Sequence, residues 1–291
     1  MDFLPWVLLA LSATLASTKN ILVKGLSGHS IKNREFFGVQ ALIFASGSVV
    51  LLIANAFDFN GVSWFTVWIS LVYGVLLIGA MWFYNLSLTM GKTAVCATVY
   101  SFGFVLPTLS GWLFWGEDVS VFAAIGIVMV FPVLIISGTG SKKGGAEAQG
   151  KKYIIYLIIA MLCSGALGIV QKIQQKSVYA NQKNTFILLA FFVGLSVSLI
   201  FFFAKKSSEK KIERKAVGIC ALVGTFYSVC NMINTHLAGA LDSAIFFPTL
   251  NIGTILLSML LGVIIFKERI RKREALVLAL GAASIVLLNF G

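Results

Sequence analysis

Ten apolar runs separated by short polar segments limit how this chain can fold more than any other feature of it. Each run holds roughly 20 residues, and a helix of that length, rising about 1.5 Å per residue, crosses the roughly 30 Å hydrocarbon core of a bilayer. In lipid, a helix satisfies its own backbone hydrogen bonds. The pattern therefore predicts an all-α polytopic membrane protein with about ten transmembrane helices. The predicted spans cover residues 3–23, 36–57, 64–90, 93–115, 119–138, 153–176, 184–204, 216–238, 243–266 and 273–290.

The composition favours membrane insertion over a soluble fold. Hydrophobic residues make up 58% of the chain and charged residues 12%, against about half and about a quarter in soluble domains. The net charge of +12 does not indicate nucleic-acid binding, because the basic residues flank apolar spans instead of forming an extended polar surface. We therefore expect the lipid bilayer, and no nucleic acid, as a partner.

Small residues within the spans predict packing rather than chemistry. In span 10, Ala275, Ala279 and Ala283 recur at four-residue spacing and predict a close-packing face. The cysteines lie in apolar runs without the spacing of metal ligands, which is typical of core residues. No metal site and no cofactor are expected. The cysteines are Cys96, Cys163, Cys220 and Cys230.

The two halves of the chain share one order of long spans, basic loops and short breaks. Aligning residues 84–95 with 235–246, and 113–120 with 264–271, places Glu117 on Glu268. Because each half crosses the membrane an odd number of times, the second half must insert upside down relative to the first. Inverted repeats allow a central site to be reached alternately from either side. The predicted domains are a first five-helix repeat (1–140), a polar linker (141–152) and a second five-helix repeat (153–291).

This organisation resembles the EamA-type transporters of the drug/metabolite transporter superfamily. The resemblance rests on a glutamate that closes span 4 (LFWGED) and span 9 (IIFKER), and on small-residue junctions before those two spans (LTMGKTA and GALDSA). The chain departs from the usual pattern at Lys267, where the family more often has glycine before the glutamate. The resemblance implies a transporter whose substrate cavity lies between the halves, lined mainly by spans 1, 3, 4, 6, 8 and 9.

The distribution of basic residues predicts an orientation. Most of the 23 Lys and Arg residues lie in or beside the odd-numbered loops. By the positive-inside rule those loops are cytoplasmic and both termini lie outside. The resemblance implies the opposite, since many relatives are described with cytoplasmic termini. We expect the protein in the plasma (inner) membrane of a prokaryote.

Polar side chains at membrane depth predict where a solute would bind, because lipid cannot satisfy them. Span 8 is the clearest case, with Tyr227, Ser228, Asn231, Asn234 and Thr235 on one arc of the helix. Similar arcs in spans 3, 4, 6 and 9 indicate either a water-filled cavity or hydrogen bonding between helices. The predicted substrate-binding residues are Lys19, Asn20, Tyr84, Asn85, Tyr100, Ser101, Gln171, Lys172, Tyr227, Asn231, Asn234, Asn251 and Thr254.

Charged residues within the spans are few. Lys19 lies well inside span 1, where it could snorkel to the interface or bind an anionic group of a substrate. The repeat aligns it with Gln171 and Lys172 of span 6. All 11 acidic residues lie at span ends or in loops, which argues against an antiporter that exchanges protons for a lipophilic cation at a deep carboxylate. Glu117 and Glu268 are expected to fix connectors at helix ends, in contact with a nearby Lys or Arg.

Together these features predict a secondary transporter of a small polar metabolite by alternating access. An amino acid or a similar neutral, zwitterionic or anionic solute would be its small-molecule substrate, and the protein would be a monomer or homodimer. A lipid-linked carrier or flippase of the same superfamily is the alternative. A membrane-embedded enzyme is less favoured, because no catalytic constellation is visible, and a receptor is less favoured because there is no soluble sensor domain.

Overall fold

The computed structural model describes residues 3–26, 33–90, 93–139, 150–204, 214–266 and 272–289, and nearly all of these residues are helical. The helices occupy the ten predicted spans, with ends that differ from the predictions by a few residues. They are α1 (Leu4–Leu26), α2 (Asn33–Phe57), α3 (Trp64–Met90), α4 (two segments, Thr93–Ser101 and Val105–Trp115), α5 (Val121–Thr139), α6 (Gly150–Lys176), α7 (Lys183–Ala204), α8 (Arg214–Ala240), α9 (Ser243–Phe266) and α10 (Lys272–Asn289).

The break within α4 has a cause in the sequence. A 3₁₀ turn, Phe102–Phe104, joins the two segments just before Pro107. Proline has no backbone N–H, and its ring presses on the carbonyl four residues earlier, here that of Gly103. The helix tightens at that point instead of continuing as α-helix.

Length and composition fit a membrane-spanning fold. Among the described residues, seven helices (α1, α2, α3, α6, α7, α8 and α9) are long and apolar enough to cross a membrane, and α4, α5 and α10 contain shorter apolar stretches. Large apolar side chains cover the outside of the bundle. On α3, for example, Trp64, Trp68, Val72 and Val75 are exposed along one face. The predicted all-α polytopic membrane fold is confirmed.

The helices pack with an approximate two-fold pattern. α3 packs on α6 as α8 packs on α1, and α2 packs on α8 as α7 packs on α3. The contact of α1 with α9 corresponds to that of α6 with α4, and the pairs α2–α7, α4–α9 and α5–α10 join helices of equal rank in the two halves. This exchange of partners supports the inverted repeat. The domain boundaries stay predictions, and residues 150–152 of the predicted linker already belong to α6.

Close helix crossings depend on glycine. A Cβ atom on Gly165 of α6 would lie 2.5 Å from the carbonyl oxygen of Gly103 in α4, so a larger residue would force these helices apart.

The prediction of a close-packing alanine face on span 10 was wrong. Ala275, Ala279 and Ala283 are exposed, whereas α10 packs through Gly281 and Ser284, and the Ser284 hydroxyl donates to the Gly126 carbonyl at 2.8 Å. The three alanines do lie on one side of α10, but that side is exposed and the opposite side is buried.

Candidate functional site

Asn231 of α8 links two helices in the interior. Its Oδ1 accepts a hydrogen bond from the Tyr73 hydroxyl of α3 at 2.7 Å, and its Nδ2 donates to the Tyr227 carbonyl at 2.8 Å. The side chain is 5% exposed. Sequence reasoning placed Asn231 on an inward face but did not include Tyr73 among the binding residues. The signal for Tyr73 was its hydroxyl near the middle of an apolar helix, where it needs a partner.

The same face of α8 contacts two further helices. Ser12 of α1 donates to Asn234 Oδ1 at 2.5 Å, and Gln171 Nε2 of α6 donates to the Thr235 hydroxyl at 3.1 Å. Gln171 also hydrogen-bonds Tyr73. A belt of polar side chains therefore joins α1, α3, α6 and α8, and these side chains take the hydrogen-bonding role between helices that the sequence left open. Ser12 was missed, because one serine in a small-residue stretch carries little signal by itself.

Lys19 points into this belt rather than toward the end of its helix. Its Nζ lies 4.6 Å from the centroid of the Tyr227 ring, a cation–π distance. Within the described part of the chain, no carboxylate pairs with it. Lys19 and Tyr227 are half-buried, and the neighbouring Asn20 is exposed. The ammonium is thus held near an aromatic ring while its charge is uncompensated.

The remaining predicted residues lie on α3, α4 and α9. The rings of Tyr84 and Tyr100 have centroids 4.7 Å apart, and Asn251 Nδ2 donates to the Ser101 carbonyl at 3.2 Å. The Thr254 hydroxyl donates to the Leu250 carbonyl of its own helix. The backbone carbonyl of Thr254 accepts a hydrogen bond from the Ser17 hydroxyl of α1 at 2.9 Å. Each of the predicted side chains is half-buried, and so is Asn85. Tyr100 also lies close enough to Tyr73 and Tyr227 for electrostatic interaction.

Lys172 is the second lysine among the predicted substrate-binding residues, and its environment differs from that of Lys19. It forms an ion pair with Glu117 in the connector after α4, and its Nζ donates to the Leu241 carbonyl at 3.1 Å. Glu117 Oε2 also accepts from the backbone N–H of Ser243 at 2.6 Å. The contact of Glu117 with a lysine was expected. These partners occupy the Lys172 ammonium, and its role in substrate binding stays a prediction.

The ionisation of Glu117 follows from these partners. Burial raises the pKa of its carboxyl group, but the hydrogen bonds from Lys172 and from the Ser243 N–H outweigh burial and hold the pKa below its ordinary value. Glu117 is therefore a carboxylate at neutral pH. Glu268, its counterpart in the repeat, lies outside the described residues.

The interior is closed at one end of the bundle. We call this the even-connector end; it carries connectors 58–63, 116–120, 177–182 and 241–242. Gln182 Oε1 accepts from the Ser63 N–H at 3.0 Å and from the Thr66 hydroxyl at 2.6 Å, which joins the two halves. The Lys172–Glu117 pair lies at the same end.

Toward the other end, burial decreases along the lining helices. In α9, Phe246, Phe247 and Thr249 are buried, whereas every residue from 253 to 259 is half-buried. In α3, buried side chains recur on one side of the helix as far as Ala80, whereas residues 81–86 are all half-buried. In the part of the chain that the structure describes, the side chains of these two helices are therefore less buried toward the end opposite the even connectors.

Seven long apolar helices and three shorter ones, arranged in two halves around a polar interior in the described part of the chain, define a polytopic membrane protein suited to moving solutes. Residues 151–290 match the model of the EamA-like transporter family. This match, over the second half of the chain, confirms the resemblance to the drug/metabolite transporter superfamily and agrees with a membrane transporter.

The chain is also similar to one curated protein and to one solved structure. An uncharacterized protein of Haemophilus influenzae is 28% identical over 188 residues, which are 64% of this chain and 62% of that protein. The alignment thus spans less than two thirds of the relative. A solved crystal structure has a TM-score of 0.74 at 17% identity, covering 97% of this chain and 96% of its own. At that identity the likeness shows a shared fold.

Proposed function

We propose that this protein is a secondary transporter of a small polar metabolite that carries a carboxylate or another anionic group, and that it works by alternating access through the interior between its halves. Lys19 carries this proposal. Its ammonium lies in the interior, half-buried, with the Tyr227 ring as its neighbour and no carboxylate partner among the described residues. A charge held at membrane depth without a counterion favours an anionic ligand.

The surroundings of Lys19 support binding of a compact polar molecule. An ammonium forms strong, charge-assisted hydrogen bonds with a carboxylate, and the half-buried Tyr227 ring beside Lys19 offers apolar surface with a polar edge. Members of the EamA-like family are transporters rather than enzymes, and we propose no chemical reaction for this chain. A zwitterionic metabolite fits the same proposal, because its carboxylate can pair with Lys19.

A thermal-shift screen of the purified protein tests the substrate class. The panel consists of matched sets on one carbon skeleton: the carboxylate, its primary amide and the corresponding amine. A ligand that binds only the folded state at 100 times its Kd stabilises it by about 2.7 kcal/mol. We expect carboxylates to raise the melting temperature and amines to have no effect. Stabilisation by amines alone would contradict the proposal.

Transport itself is tested by counterflow in proteoliposomes. Vesicles loaded with the unlabelled hit should accumulate the labelled hit transiently, and vesicles without protein provide the control. A hit that binds without counterflow would show that the protein is not a transporter of that compound.

We further infer from the loop charges that the odd-numbered connectors face the cytoplasm and both termini lie outside. A reporter that is active only in the cytoplasm should be silent when fused at Gly291 and active when inserted near Glu209. The reverse result would show that the orientation implied by the resemblance is the correct one.

A further inference from the structure

Three separate elements meet at the even-connector end around one carboxylate. Glu117 follows α4, Lys172 lies in the last part of α6, and Ser243 begins α9. The carboxylate pairs with the Lys172 ammonium and accepts from the Ser243 N–H at 2.6 Å, while Lys172 donates to Leu241 just before α9. Glu117 belongs to the first half of the chain, and its partners belong to the second.

The chemistry of this contact depends on the two halves staying together. The Ser243 N–H is among the first N–H groups of α9, which have no partner within the helix and favour a negative charge. Lys172 is 1% exposed, so losing its partner would leave a buried charge without compensation, which is strongly destabilising. Asp242 and Lys176 are the further charged groups near Lys172.

The packing around the contact is equally close. A Cβ atom on Gly111 of α4 would overlap Glu117 Oε2 and would lie 2.6 Å from the Ser243 Cβ. Any side chain at position 111 would therefore push the connector away from the start of α9. Glycine at this position allows α4, the connector and α9 to meet.

From this geometry we infer that Glu117, Lys172 and Ser243 form a latch that closes the interior at the even-connector end and must separate in each transport cycle. The latch lies on the closed side, whereas Thr254 lies in the half-buried stretch 253–259 of α9. This inference rests on the proposed transport function, since a latch has meaning only if the interior opens alternately to both sides. Glu117 then acts on the conformational equilibrium and not as a ligand of the substrate.

Cysteine accessibility tests the latch in the full-length protein without any substrate. Thr254→Cys is introduced into a variant that lacks the four native cysteines and is probed with a membrane-impermeant methanethiosulfonate in vesicles of both orientations. A cysteine at the exposed Asn60 in connector 58–63 identifies the membrane face that carries the even connectors. In the parent we expect labelling mainly from the opposite face.

Glu117→Gln should raise the labelling rate from the even-connector face by about tenfold or more, because it leaves Lys172 unpaired in the closed state. Adding Lys172→Met should lower the rate again but leave it above the parent value, since no buried charge then lacks a partner but the ion pair between the halves is still missing. Gly111→Ala should act like Glu117→Gln through shape alone, and it serves as the test if Glu117→Gln does not fold. Thr185→Val, which removes a 2.9 Å hydrogen bond to Asn55 at the same end, should leave the rate unchanged.

The outcomes separate the latch from the proposed function. If Thr254→Cys is labelled only from the opposite face in all variants, the latch is wrong and the water-filled interior stands. If adding Lys172→Met does not lower the rate that Glu117→Gln raises, the effect is general loosening and the latch is wrong. If Thr254→Cys is labelled from neither face, the interior contains no water path, and both the latch and the proposed function are wrong.

Discussion

Lys19 and Lys172 lie on helices that correspond in the two halves, but their charges are met in different ways. Lys172 is 1% exposed and has a carboxylate and a carbonyl as partners. Lys19 is half-buried and has a tyrosine ring. The first environment pairs the charge with a carboxylate, and the second gives it no counterion among the described residues.

The two ends of the interior also differ, since one has polar contacts between the halves and the other has apolar packing. Hydrogen bonds and an ion pair between the halves close the even-connector end. Toward the other end, aromatic side chains pack between α2, α3 and α7, with the Phe37 and Phe201 rings stacked at 5.0 Å. Apolar packing is non-directional, whereas a paired charge has one partner and one geometry.

Removing each lysine should give opposite effects on stability, and this is the largest effect that we expect. Lys172→Met leaves Glu117 buried without its cation and should cost about 3–5 kcal/mol. Lys19→Met removes an unpaired charge and should be neutral or stabilising. Thermal or denaturant unfolding in one detergent measures both. Equal losses for the two variants would contradict the distinction between them.

The stability of the protein at acid pH should depend on Glu117. Because its pKa is lowered in the folded state, the unfolded chain binds more protons between that value and the ordinary carboxyl pKa of about 4.3. Its stabilising contribution is complete above about pH 4.3 and is lost as the pH falls through the lowered value.

The variant Glu117→Gln/Lys172→Met provides the comparison for this pH effect. Its melting temperature should fall less steeply than that of the wild type between about pH 5 and pH 3. Parallel curves would show that Glu117 does not titrate differently in the folded and unfolded states.

The smallest effect concerns the polar belt. Tyr73→Phe removes the donor to Asn231 and should cost about 0.6 kcal/mol, the average for hydrogen bonds between membrane helices. Tyr179→Phe, at an exposed position stacked on Phe65, is the control and should cost less. A cost at Tyr73 no greater than that at Tyr179 would mean that the belt does not hold α3 against α8.

Much of this fold could be predicted because lipid leaves few choices. The lengths of the apolar runs predicted the positions of the helices. The break in α4 lies just before Pro107, a residue that disfavours a continuous helix. The polar arc of α8 was correctly placed inside, since Asn231 and Thr235 are buried. The side of α10 that packs was not predictable from its alanines, because small residues suit both a close contact and an exposed surface.

The partners of the charged residues were less accessible to sequence reasoning. Lys19 and Lys172 both lie on polar faces of helices, and neither spacing nor composition shows which one a carboxylate reaches. Glu117 and Lys172 are far apart in the chain, and only the packing of α4, α6 and α9 brings them together. For the same reason the link from Tyr73 to Asn231 could not be assigned, although each residue alone required a partner.

The central claim, that Lys19 binds an anionic group of the substrate, is tested most directly by comparing Lys19→Met with the wild type in titrations of a carboxylate ligand and its primary amide. Lys176→Met, at an exposed position at the end of α6, is the control. We expect Lys19→Met to lose about 1.5–3 kcal/mol of binding free energy for the carboxylate, roughly 10- to 150-fold in Kd, and little for the amide. If Lys19→Met binds both ligands as tightly as the wild type does, Lys19 is not a ligand of the substrate and the account is wrong.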